Sequence, residues 1–179
     1  RSLLATAPAV AVSATVGAFD ISGFSRWALG ITKEASEEAH AQAVAGLSAA
    51  KAAVGIDVME DIIAPMTGQF FTFSLAPSAA SADSLLAIAG MGTDTFVALT
   101  EDTDPLLDLV ESLIEMSGMG ESITSSTVSL GSGEREMDLY QSDDSAGIPI
   151  TLGVGDGRLL VSLDGGGSAA YMDLLSGKE

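Results

Sequence analysis

The stretch GIDVMEDIIAPMTGQFFTFSLAP, Gly55 to Pro77, constrains the fold of this chain more than any other, because it passes from helical to strand spacing within a few residues. Asp57 stands three residues before Glu60, so its carboxylate can accept from the Glu60 backbone N–H while Glu60 reaches back. This is a capping box with Asp in the Ser/Thr role. The helix that starts there carries Val58, Ile62, Ile63 and Met66 toward a core and stops near Pro65 to Gly68. Phe70, Phe71, Phe73 and Leu75 then form a buried strand closed by Pro77. The remaining segments are expected to pack around this unit.

Upstream, Ala9 to Phe19 is Val-rich and alternates, which predicts an internal or early strand of the sheet. Asp20 or Ser22 can cap the helix that follows, whose Phe24, Trp27, Ala28 and Ile31 share one face. Trp27, the only Trp, is therefore expected as a core anchor. Ser36, Glu37 and Glu38 open a second helix that runs to about Val54, with Val44, Leu47 and Val54 on a narrow stripe in an Ala-rich segment. The single His40 lies on that stripe and reads as a helix-surface residue.

Downstream, Ser78 to Ser84 reads as an exposed loop, and Leu85 to Ala89 with Thr95 to Leu99 as a hairpin around GMGTD. Asp104 before Pro105 marks a helix start, with Asp104 as the cap, and Leu106, Leu109, Val110 and Leu113 form its core face up to Gly118. Two further hairpins follow, Ile123 to Leu130 with Glu136 to Gln141, and Ile148 to Val154 with Arg158 to Leu163 around a Gly-Asp-Gly turn. A last short helix begins at Gly165 to Ser168 and bears Ala169, Met172, Leu174 and Leu175. The expected fold is α+β, an antiparallel meander sheet with helices packed on one face. It forms a single domain over residues 1–179, helix-rich at 20–67 and sheet-rich at 68–179, with an inserted helix at 104–117.

Charge is distributed unevenly. Residues 1–55 hold four acids and four bases, so the whole net charge of −18 lies beyond Gly55. No basic patch exists to release counterions from nucleic acid or to hold an anionic membrane surface. The imbalance serves solubility, or attraction to cations or a basic partner. The absence of Cys excludes disulfides, thiolate metal sites and a Cys nucleophile. No apolar run approaches the length needed to span a bilayer, and Arg1 to Val16 is too broken to be a signal segment. The start at Arg1 suggests a piece of a longer chain.

Candidate chemistry is sparse. Glu101, Asp102 and Asp104 are the one cluster of hard oxygens that could hold a divalent cation such as Ca²⁺. Their spacing fails the calcium-loop pattern, since Pro105 follows and Leu113 stands where a Glu is needed. Capping and solvation account for the same three acids. Gly153 to Arg158 lies between strands, and Asp164 to Ser168 lacks a P-loop Lys, so both read as turns and no cofactor is expected. A triad needs a base and finds only His40. A hydrolase using paired carboxylates stays open, because carboxylate separation is a tertiary property.

In the order of its signals the chain resembles a bacterial family of exported proteins catalogued as domain-of-unknown-function family 3352. The likeness rests on GIDVMEDIIAPMTGQFFTFSL (Gly55 to Leu75), TFVALTEDTDPLLDLVESL (Thr95 to Leu113) and GDGRLLVSLDGG (Gly155 to Gly166). It implies a periplasmic or extracellular location and a larger parent chain, and it carries no catalytic motif across. The resulting expectation is a non-enzymatic binding or structural module that contacts a protein partner through a sheet edge. A small-ligand or divalent-cation-binding domain is the alternative. Neither reading sets the oligomeric state.

Overall fold

The computed structural model describes residues 7–76, 93–118, 120–131, 133, 135–142, 150–163 and 165–177. Seven strands form one sheet: β1 (Ala11–Ala18), β2 (Met66–Leu75), β3 (Thr93–Thr100), β4 (Ile123–Leu130), β5 (Arg135–Ser142), β6 (Ile150–Gly155) and β7 (Arg158–Leu163). Their spatial order is β1-β2-β3-β7-β6-β5-β4, and every neighbouring pair is antiparallel. Two meanders thus meet where β3 pairs with β7. The helices are α1 (Ile21–Ala35), α2 (Glu37–Val54), α3 (Asp104–Ser117) and α4 (Gly165–Leu175), with a single π-helical turn at Val58–Ile63. The α+β class and the antiparallel meander are as the sequence implies. No helix of the described residues is long and apolar enough to cross a membrane.

Strand alternation divides the interior into two cores. Phe71 and Phe73 of β2, Val97 of β3, Met137 and Leu139 of β5 and Leu160 of β7 point to one face, where Tyr171 and Met172 of α4 close over them. The opposite face presents Val154 of β6 to Leu106 and Val110 of α3, to Ile56 just before the π turn and to Ile62 within it. Helices therefore occupy both faces rather than one. Two successive residues of β6 show why: Gly153 faces Met137 and Leu139 while Val154 faces α3, so each surface of the sheet is apolar enough to need its own cover.

The Gly55 to Pro77 unit forms with three differences in detail. Asp57 accepts from the N–H groups of Met59 at 3.1 Å and Glu60 at 3.3 Å, but the reciprocal bond comes from Asp61, whose carboxylate accepts from the Asp57 N–H at 2.7 Å. The helical segment is one π turn, closed by the Ala64 N–H on the Met59 carbonyl at 3.0 Å. Met66, expected on the helix, opens β2 instead, because Pro65 has no N–H with which to continue the turn. Pro77 lies outside the described residues.

Elsewhere the turn chemistry holds. The β6–β7 hairpin closes through Asp156 and Gly157, both at positive φ (49° and 68°), the type I′ geometry that matches strand twist. Asp104 does not cap α3. Thr103 occupies the N-cap without a side-chain bond, and the Asp102 carboxylate accepts from the Asp104 N–H at 3.0 Å, a local turn that Asp side chains favour. The expected hairpin of Leu85 to Ala89 lies outside the described residues, while β3 has β2 on one side and β7 on the other. β1, expected inside or early in the sheet, is one of the two edge strands of the described sheet.

Candidate functional site

Glu101, Asp102 and Asp104 lie exposed at the β3–α3 junction, where the Asp102 carboxylate accepts from the Asp104 backbone N–H. The Thr100 hydroxyl donates to the Asp102 carbonyl at 2.8 Å, and the Glu101 N–H bonds the Pro65 carbonyl at 2.9 Å. Among the described residues no three His, Asp or Glu side chains are gathered so as to hold a metal ion. His40 meets Thr32 across the α1–α2 hairpin, Nδ1 to Oγ1 at 3.3 Å.

The glycine-rich segments serve packing. A Cβ at Gly167 would fall on the Thr95 hydroxyl, which is hydrogen-bonded to Ser162 at 3.0 Å in the floor of the core, so glycine lets the start of α4 approach the sheet. In the β6–β7 turn Asp156 bridges Arg135, at 3.0 Å, and Arg158. Arg158 also stands near Tyr171, whose hydroxyl is buried and has no hydrogen-bond partner among the described residues. Burial pushes the Tyr171 phenol up to about 12, opposed by the Arg158 guanidinium and aided by the Asp156 carboxylate.

The β1 end of the molecule differs in kind. Neither α1 nor α2 buries a residue, although Asp20 caps α1 at 2.7 Å and Ser36 caps α2 at 3.2 Å. Trp27 is 58% exposed and is no core anchor; its ring packs at a tilt 5.4 Å from Phe24, which lies 5.2 Å from Phe19. The aromatic row is self-packed and faces outward, with Ile31 and Val44 also exposed. The stripe at 24, 27, 28 and 31 is present as the spacing implies, yet no other element of the described chain covers it.

Beside this row a cleft of about 610 Å³ opens between the start of α1 and the sheet, lined chiefly by Phe19, Ile21, Met66, Phe70, Phe96 and Leu159. Phe70 and Phe96 stack at 5.7 Å across β2 and β3, and Phe70 lies over Gly17 of β1, where a Cβ would collide with the ring. Among the described residues no ionisable side chain lines the cleft.

The outer edge of β1 completes the surface. The Phe19 N–H donates to the Gly68 carbonyl at 2.8 Å, so alternation turns the N–H and C=O groups of Ala14, Val16 and Ala18 away from β2. β1 (AVSATVGA) contains no charge and no proline, and exposed Val10, Val12 and Val16 line it. Natural edges are commonly blunted by Lys, Pro or a covering element. This one carries only a bulge between Ala11 and Ser13. The opposite edge, β4, is also uncharged but Ser/Thr-rich, and has Glu136 and Asp138 on the neighbouring strand and Glu121 just before it. The uncharged, Val-rich run Ala9 to Phe19 was legible as a strand; the position of β1 at the rim of the described sheet was not. Compared with protein-family models, with curated proteins and with solved structures, the chain matches none.

Proposed function

We propose that this chain is a non-enzymatic interaction module of an exported bacterial protein, and that it docks a protein through β1 and the aromatic face of α1. One observation carries the reading: the outermost strand is uncharged, turns the backbone groups of Ala14, Val16 and Ala18 outward, and runs into the exposed row Phe19, Phe24 and Trp27. Added strands bind such edges through main-chain hydrogen bonds, with apolar anchors supplying affinity. The export and the larger parent are supported by the resemblance to domain-of-unknown-function family 3352 at Gly55 to Leu75, Thr95 to Leu113 and Gly155 to Gly166. The test is a photo-cross-linking residue placed at Val12 in the cells that make the protein, with Ser126 on β4 as the control. A protein adduct at Val12 and none at Ser126 is expected; no adduct at Val12 sinks the reading.

A second reading is favoured by the cleft. Its volume of about 610 Å³ and uncharged lining suit a small apolar ligand. Native mass spectrometry of the protein as isolated, before and after extraction with organic solvent, would show a retained mass that extraction removes. A bare chain in both spectra counts against this alternative.

A further inference from the structure

We infer that the open edge of β1 is closed by a second copy of the chain, β1 pairing antiparallel with its own counterpart about a two-fold axis at Val16. The inference rests on the docking surface proposed above and names its occupant. Charge is the first argument. The residues up to Gly55 sum to zero while all of the −18 lies beyond them, so the β1 edge is where two copies approach with least repulsion. Pairing through the β4 edge would instead bring Glu121, Glu136 and Asp138 toward their own copies.

Shape and register are the second argument. An isologous interface needs one patch complementary to itself. The outward groups belong to Ala14, Val16 and Ala18, and a two-fold axis at Val16 sets Val16 against Val16 and Ala14 against Ala18 of the other copy. Three such pairs exchange about six hydrogen bonds. In the same register Val12 falls opposite Asp20, so the exposed Val10 and Val12 of one copy lie beside the Phe19 end of the other, and the same contact repeats by symmetry. The bulge at Val12 ends the regular pairing where the register runs out. Among the described elements β1 has its substantial contacts with β2, so no helix blocks the approach. The product is a continuous antiparallel sheet that leaves the acidic bodies at its two ends.

Sedimentation velocity of the purified chain over a range of concentrations tests this. A species of twice 18.1 kDa is expected. Val16→Lys and Val16→Glu, each placing like charges against each other at the axis, should raise the dimer dissociation constant about tenfold or more, and mixing the two variants should restore association. A chain that stays monomeric, variants that dimerise as before, or a mixture that stays dissociated would each overturn the proposal. Should either variant fail to fold, hydrogen exchange of the unaltered chain decides: the Ala14, Val16 and Ala18 amides should be protected at high concentration and exchange freely on dilution, and concentration-independent exchange overturns it. The cross-link at Val12 separates this inference from the one beneath it. An adduct with a different protein leaves the docking surface standing and removes the second copy; no adduct removes both.

Discussion

Helices α1 and α3 carry apolar stripes of similar strength, yet α3 buries Leu106 and Val110 against the sheet whereas α1 buries nothing. The difference lies in what each helix was offered. α3 links the middle of the sheet to its far edge and crosses β6, where Val154 awaits it; α1 turns back at the rim and packs against α2, an Ala-rich helix with little apolar bulk. Amphipathic spacing states that a face requires cover without stating where the cover comes from. On one side of this molecule the described chain supplies it, and on the other no described element does.

Substitutions can break or sharpen that contrast. Phe71→Ala, in the core beneath α4, should cost about 3–5 kcal/mol in denaturant titration, because the ring is fully buried and its cavity cannot collapse. Gly155→Ala should cost about 2–3 kcal/mol, since φ is 151° there and a Cβ would meet the Glu136 carbonyl. Tyr171 adds a pH dependence of known sign. Its folded-state value is raised from 10.0 to about 12, so its contribution is complete below pH 10 and is lost as pH climbs toward 12. Tyr171→Phe should flatten that alkaline loss in thermal melts across pH; an unchanged slope would assign it elsewhere.

Smaller effects belong to the N-terminal side. Lys51 and Asp57 join α2 to the π turn at 3.0 Å, chiefly through a side-chain hydrogen bond that raises Lys51 above 10.5 and lowers Asp57 below 3.8. Asp57 therefore contributes above its unfolded value and loses this as pH falls through the folded one; Lys51 contributes below its unfolded value and loses this as pH rises through the folded one. Protection of the Met59 and Glu60 amides, taken relative to their intrinsic exchange at each pH, should be greatest between those limits and fall beyond either, and a flat protection profile would dissolve the link. Trp27→Ala should move stability by no more than about 0.5 kcal/mol, as expected of a surface ring. A loss comparable to that of Phe71→Ala would show that the aromatic row is structural after all.

Particular residues mark how far the sequence could be read. The Asp57 and Ser36 caps, the hairpin at Asp156 and Gly157 and the alternating core of β2 were legible because each depends on neighbours within a few positions, whereas the structure chose Asp20 over Ser22 as the cap of α1. Tyr171 escaped, since one aromatic in a short Gly- and Ala-rich helix has no periodic company to announce it. The candidate surface was half legible: the uncharged run at β1 and the stripe of α1 were visible, but their exposure was not.

By itself the sequence determined the α+β class, the β4–β5 and β6–β7 hairpins, the helix start at Ser36 and the neutral, cysteine-free first third, because local geometry and composition act over short distances. Tertiary structure alone decided that β1 is an edge, that helices cover both faces of the sheet and that Trp27 looks outward. Those outcomes depend on which strand lies next to which, and strand order is set by pairings between segments far apart in the chain, such as β3 with β7.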